Sequence, residues 1–388
     1  MTFEQIKSQD QSYILHTYGR VDAALVKGKN ARAWDVEGKE YIDFTAGIGV
    51  NVLGYSDPEW ASAVSQQAGE IQHMCNYYYC PQNTALAEEL SKASGMAKAF
   101  FCNSGAEANE CAVKVARKYG EKRGAYKIIT LENSFHGRTL TTLAATGQEG
   151  FHKDFLPLTE GFLYAQAGDL SSVEKLMDDS VCAVLIEMVQ GEGGVIPMEE
   201  SFVQGLSKLC QEKDVLLMVD EVQTGIGRTG TFYAYQGYGV QPDVVTSAKA
   251  LAGGLPIGAC LVSEKLGDIL QPGMQGSTFG GNPLACAGAR VVLRRVNDPA
   301  FLESVKEKGA YLKERLEAMP QVEYVRGRGM MLGVKLKEKD AHDVLVECAK
   351  QGLLILTAKE LVRFLPPLTI TQEDMDQGLA IFQKVLEQ

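Results

Sequence analysis

An α/β fold, with a mostly parallel central sheet flanked by helices and a smaller α+β domain, is predicted by three observations. Between residues 99 and 262, short and nearly continuous apolar runs alternate with stretches of helical spacing, the pattern of strands buried on both faces. The 40 glycines concentrate where those runs end, as strand–loop–helix units require. After Pro283 the texture changes to long helical stretches followed by shorter strands.

The elements follow in order. Residues 31–45 read as a small hairpin, because Ala33-Trp34-Asp35-Val36 and Tyr41-Ile42-Asp43-Phe44 flank a glycine turn at Glu37-Gly38-Lys39. Residues 83–94 carry Leu86, Leu90 and Ala93 on one helical face. Residues 99–102 form a short apolar strand, and residues 106–119 return to helical spacing with Ala108, Cys111, Ala112, Val115 and Ala116 aligned. Further strands are expected at 127–131, 182–188, 215–220, 243–247 and 258–262. Helices at 284–296 and 301–318, strands at 323–326, 331–336 and 354–357, and a last helix at 372–386 complete the chain. The expected organisation is an N-terminal segment (1–50) packing with the small domain, a large cofactor-binding domain (51–283) and a C-terminal α+β domain (284–388).

With 388 residues, 45% of them hydrophobic, the chain can bury a large core. Its net charge of −11, with basic residues scattered, argues against nucleic acid or an anionic membrane as partner. Nine cysteines stand singly, without a Cys-x-x-Cys, so a reducing compartment and no disulfide framework are expected. Residues 1–10 lack a basic stretch followed by an apolar one, and no uncharged apolar run approaches the ~18 residues of a spanning helix. The expected location is the cytoplasm.

Chemistry concentrates at strand ends. Lys249, in Ser247-Ala248-Lys249-Ala250-Leu251, closes one apolar run, and Asp220 closes another, Val215-Leu-Leu-Met-Val219. Small apolar neighbours desolvate the lysine and favour its neutral, nucleophilic form. An acid straight after five apolar residues is costly to bury without a partner. A lysine that condenses with an aldehyde and an acid that keeps a pyridine nitrogen protonated are what pyridoxal phosphate requires. Gln223 can reach that ring's hydroxyl. The alternative for Asp220 is a strand surfacing into solvent.

Ser104-Gly105-Ala106 opens a helix with almost no side-chain bulk, so its N–H groups can approach a phosphate; the alternative is a serine cap with nothing bound. In Phe135-His136-Gly137-Arg138, the aromatic ring can stack on a flat cofactor and Arg138 can grip a carboxylate in two-point fashion. His136 reads as structural, since the freed lysine can shuttle the proton itself. Glu192, among the glycines of Gln190–Gly194, is either a pocket acid or a solvated loop acid. Ser277 and Thr278 can offer hydroxyls to a phosphate, and Arg363 places a cation between apolar residues, a candidate for a second carboxylate. Gly225-Ile-Gly227-Arg-Thr-Gly230 matches the dinucleotide pattern, but it does not follow its strand directly and no regular apolar helix follows it. No metal-ligating set stands out.

Together, and in this order, these segments resemble the class-III, fold-type-I aminotransferases that use pyridoxal 5'-phosphate, from Tyr18 to Arg363. Within that class the resemblance is strongest to the N-acetylornithine subgroup of arginine biosynthesis. It rests on Ala46-Gly-Ile-Gly-Val-Asn51, Asn76-Tyr-Tyr-Tyr79 with Pro81-Gln82, Phe101-Cys-Asn-Ser-Gly-Ala-Glu-Ala-Asn109 and Arg363-Phe-Leu-Pro-Pro367. The resemblance implies that Lys249 holds the cofactor and moves the proton. Asp220 pairs with the pyridine nitrogen, with Glu221, Val222 and Gln223 beside it. Phe135 stacks on the ring, Gly105 and Ala106 bind the phosphate, and Thr278 with Ser277 completes the site from the other subunit of a homodimer. Arg138 takes the substrate α-carboxylate, Tyr18 lies with the substrate, and Arg363 takes the α-carboxylate of glutamate or 2-oxoglutarate. Glu192 covers Arg363 while the first substrate is bound.

The implied reaction moves the terminal amino group of N2-acetyl-L-ornithine to 2-oxoglutarate in ping-pong fashion. Alternatives within the class act on ornithine, succinylornithine, succinyldiaminopimelate or 4-aminobutyrate, or isomerise as aminomutases. Outside it stand a nicotinamide oxidoreductase, resting on Gly225–Gly230 alone, and a silent binding protein. Gly47 stands near where ornithine-specific relatives tend to carry a tyrosine, and so leaves room for an acyl group. Tyr55-Ser-Asp57-Pro and the Cys75/Cys80 pair depart from the family texture without a functional account.

Overall fold

The computed structural model describes all of residues 1–388. A seven-stranded sheet forms its centre. In spatial order the strands are Lys98–Cys102, Gly258–Val262, Val244–Ser247, Leu216–Asp220, Val181–Glu187, Lys127–Leu131 and Phe162–Ala165. Gly258–Val262 runs antiparallel to both neighbours; the other described pairings are parallel. The expectation of a mostly parallel sheet therefore holds. Val181–Glu187 and Leu216–Asp220 are buried at every residue, which is why they read as unbroken apolar runs rather than alternating ones.

The helix Gly105–Gly120 lies against the sheet through Ala108, Cys111, Ala112, Val115 and Ala116. Its N-cap is Ser104, whose hydroxyl accepts from the Glu107 N–H. The strand Phe162–Ala165 escaped the sequence reading: only Ala165 is fully buried, so it carries no continuous apolar run.

The hairpin expected at 31–45 exists as Arg32–Asp35 and Glu40–Asp43, extended on one side by Leu25–Lys29 and on the other by the distant Leu353–Leu354. One sheet thus joins the two ends of the chain. A separate antiparallel sheet runs Val322–Arg328, Met331–Leu336, Leu361–Phe364, Leu356–Ala358. The Leu361–Phe364 strand was not expected as such, yet it is buried at all four positions and carries Arg363. No helix is long and apolar enough to cross a membrane.

Two sequence departures acquire structural roles. Asp57 caps the helix Pro58–Glu70 by accepting from the Trp60 N–H, and it pairs with Arg295 at 3.3 Å. Tyr55 packs its ring so close to Gly28 that a Cβ there would lie 2.4 Å from it. Cys75 and Cys80 are unpaired, as are the other seven cysteines.

Candidate active site

Parallel register delivers the floor of the site. Asp220 lies level with Glu187 on one side and Thr246 on the other, so three adjacent strand ends present these side chains to one face. Glu221 is one residue further on, and the pleat sends it the other way. Its carboxylate accepts from the Thr224 hydroxyl at 2.5 Å and the Tyr235 N–H at 2.9 Å. The expectation that Glu221 touches a cofactor is therefore corrected: it is absent from the cavity wall and braces the segment beyond the strand.

A cavity of about 560 Å³ opens at these strand ends. Its wall includes Lys249, Asp220, Val222, Gln223, Gly105, Ala106, Phe135, Arg138 and Tyr18, and it brings together residues spread over 232 positions of sequence, from Tyr18 to Lys249 plus Gly254–Ile257 beyond.

Asp220 is held tightly. Its Oδ2 receives the Asn109 amide at 2.7 Å and lies 2.8 Å from His136 Nδ1, and its Oδ1 receives the Val222 N–H at 3.0 Å. Asn109 is itself fixed, accepting from the Thr246 hydroxyl at 2.7 Å and donating to the His136 carbonyl at 2.8 Å. His136 lines the cavity and fixes the acid through this contact. Asn109, Glu187 and Asn103 are wall residues that the sequence reading missed. A signal existed for two of them. Asn109 is a polar residue beside the buried stripe of its helix, and Glu187 is a charge inside an apolar strand.

Glu187 accepts from the Phe135 N–H at 3.0 Å and the Gly191 N–H at 3.4 Å, so it ties the Phe135 loop to the loop of Glu192. Burial pushes its carboxyl up to about 7, opposed by His136 and reinforced by Asp220.

Lys249 follows its strand in a left-handed backbone conformation, φ 42°, a strained state for a residue with a side chain and one that clusters at functional sites. Burial draws its amine down to about 8. Arg363 adds to that effect, while Glu192, Asp220 and Glu187 oppose it. At that value a useful fraction of the amine is neutral near physiological pH.

Gly105 is required by contact: a Cβ there would lie 2.7 Å from Val222 Cγ1. Gly105 and Ala106 leave the N-terminus of their helix facing the cavity with little side-chain cover. Lysine amine, buried acid, aromatic ring and open helix N-terminus in one cavity fit pyridoxal phosphate.

Arg138 is exposed at the rim. Its guanidinium stands 4.1 Å from the Phe151 ring centre and 5.3 Å from that of Phe135. Arg363 is 3% exposed and pairs with Glu192 at 2.6 Å, with Gln223 Oε1 at 3.3 Å. Neither Arg363 nor Glu192 lines the main cavity; Gln223, which does, links them to it by a 3.4 Å bond to Glu192. Ser277 reaches the site indirectly, accepting from Asn103 at 3.1 Å. Thr278 is exposed and does not reach the cavity of its own chain.

The chain resembles known proteins over its whole length. The family profile described as aminotransferase class-III matches residues 13–386. An acetylornithine aminotransferase of Haemophilus ducreyi is 48% identical, over 100% of both chains. A succinylornithine transaminase of Yersinia enterocolitica is 44% identical over 97% of this chain and 95% of its own. Among solved structures, the ornithine aminotransferase of Toxoplasma gondii superposes with a TM-score of 0.95 at 32% identity, covering 100% of this chain and 95% of that one. With the fold, the cavity and these likenesses agreeing from end to end, the chain belongs to the class-III aminotransferase family.

Proposed function

We propose that the protein transfers the terminal amino group of N2-acetyl-L-ornithine to 2-oxoglutarate, giving N-acetyl-L-glutamate 5-semialdehyde and L-glutamate. The observation that carries this reading is the Arg363–Glu192 pair at 2.6 Å beside the Lys249 cavity. With Glu192 in place, Arg363 is neutralised and the site suits a donor that enters amine first. With Glu192 displaced, Arg363 is free for the α-carboxylate of 2-oxoglutarate or glutamate. One pocket then serves both halves of a ping-pong exchange. Arg138 at the rim takes the carboxylate at the far end of the donor.

Class-III aminotransferases work with pyridoxal 5'-phosphate, which when bound supplies an aldehyde to carry the amino group and a ring to hold released electrons. Lys249 would hold it covalently and, once freed, move a proton at its Nζ. Asp220 would stabilise a protonated ring nitrogen; Gln223 would lie near the ring oxygen. Gly105 and Ala106 would bind phosphate through their N–H groups, and Phe135 and Val222 would pack on the ring.

Thr278 and Ser277 are proposed to act with a second copy of the chain. Tyr77 and Tyr79 are 96% and 99% exposed and Phe279 61% exposed, on segments joined by the Asn76 amide to the Ser277 and Gly280 carbonyls. Such an apolar surface suits an interface. A reducing, cytoplasmic setting accords with nine unpaired cysteines.

The second reading, a succinylated donor, draws on the likeness to the Yersinia enzyme and on Arg138 standing exposed, which leaves the acyl end unbounded within one chain. The test is the absorbance of the purified protein carrying its cofactor. N-acetylornithine alone should bleach the chromophore, and 2-oxoglutarate should restore it. Succinylornithine, ornithine and 4-aminobutyrate in parallel rank the donors. A chromophore indifferent to N-acetylornithine but bleached by another donor would replace the proposed substrate.

A further inference from the structure

The Gly225–Gly230 pattern does not open a helix; a short 3-10 turn, Ala234–Tyr238, follows it. What the loop does is bury Arg228, which is 1% exposed. Its Nη1 donates to the Pro366 carbonyl at 2.5 Å and the Met330 carbonyl at 3.1 Å. The Arg228 carbonyl in turn accepts from the Met330 N–H at 3.0 Å. No carboxylate forms an ion pair with it. Asp43 is its one compensating charge, and Arg228 Nη2 is buried without a hydrogen-bond partner. A buried guanidinium with so little compensation costs stability that an apolar residue of like volume would not. Its two backbone contacts point to a positional role.

The positions it ties are informative. Pro366 follows Arg363 by three residues, two beyond the end of the same strand. The intervening Leu365 N–H bonds to the Phe44 carbonyl, next to Asp43, at 2.8 Å. Gln223, five residues before Arg228, contacts Arg363 directly. The run from Gln223 to Arg228 therefore holds the Arg363 segment at two points, once at the guanidinium and once at the backbone beyond it.

We propose that Arg228 is a positioning residue that registers Arg363 against the Gln223–Glu192 side of the site, and thereby sets how well the protein holds a dicarboxylate partner substrate. The proposal rests on the reading of Arg363 given above. Arg228 touches neither substrate nor cofactor; it acts through the backbone of Pro366.

The test compares holoenzyme carrying Arg228→Met, Arg228→Lys and, as control, Arg363→Lys. The readouts are KM for N-acetylornithine, KM for 2-oxoglutarate and the calorimetric dissociation constant of glutarate, a dicarboxylate that cannot react. Arg228→Met should raise the 2-oxoglutarate KM and the glutarate constant about tenfold while moving the N-acetylornithine KM less than about threefold. Arg228→Lys should recover much of the loss, since an ammonium can also donate to two carbonyls. A folded Arg228→Met protein with unchanged 2-oxoglutarate KM, or with both KM values shifted equally, overturns the proposal. If Arg228→Met does not fold, Arg228→Gln, whose shorter side chain loses the reach to both carbonyls, decides by the same split. An Arg363→Lys protein with normal 2-oxoglutarate KM would show instead that the Arg363 reading is wrong, and the proposal falls with it.

Discussion

At the floor of the cleft, Asp220 receives three hydrogen bonds from within 3.0 Å, and the groups that give them are themselves fixed by Thr246 and the His136 carbonyl. At the rim, Thr278 and Phe279 stand in solvent, and Ser277 is held by the Asn103 and Asn76 amides and its own turn. The floor is built where parallel strands bury every residue. The rim is built from loops whose apolar side chains are only partly covered in this chain. A preorganised floor keeps an acid in one geometry; an uncovered rim suits completion by a second copy.

The sharpest way to break that contrast is at the floor. Lys249→Ala should abolish transamination, and Asp220→Asn should lower turnover about a thousandfold or more, measured by single-turnover bleaching of the chromophore. Should Asp220→Asn retain near-normal turnover, the floor would be a structural knot and not the electronic centre of the site. Asn109→Ala leaves the Asp220 and Thr246 partners unmet and should cost about 2 kcal/mol of stability as well as tens-fold in turnover, read by denaturant titration and kinetics.

Glu221 sharpens the contrast on its hidden side. Burial lifts its carboxyl from 4.5 to about 7, so the folded chain binds that proton more tightly than the unfolded chain. Its contribution is most favourable below 4.5, is lost as pH rises towards 7, and is fully lost above that. Glu221→Gln should therefore be more stable than the parent above pH 7 by up to about 3 kcal/mol, with the difference fading in acid. Thermal melts at several pH values check this; a pH-independent difference would mean that the carboxylate is not the cause.

The smallest expected effect lies at the rim. Thr278→Ala should weaken cofactor retention only several-fold, about 1 kcal/mol for one hydroxyl bond. Phe279→Asp should instead shift self-association, read by sedimentation. An unchanged association state in Phe279→Asp would remove the rim from the interface.

Much of the site was legible in the sequence because strand ends announce themselves locally. An apolar run that stops at a charge marked Asp220, a lysine among small residues marked Lys249, and a Gly-Ala helix opening marked the helix N-terminus that faces the cavity. Arg138 and Tyr18 also fell on the cavity wall as expected. Glu221 misled because adjacency in sequence means opposition in a strand, and only the pleat decides which of two neighbouring acids faces the cleft.

Local pattern carries most of the strands of the central sheet and the charged residues that close them, since these depend on periodicity over a few residues; strands such as Phe162–Ala165 and Leu361–Phe364 lie outside its reach. Which groups meet is set by long-range packing. Arg363 and Glu192 are 171 residues apart, Asn109 and Asp220 are 111 apart, and Arg228 reaches a carbonyl 138 residues away. Such pairings follow from strand order and register, which no local pattern encodes.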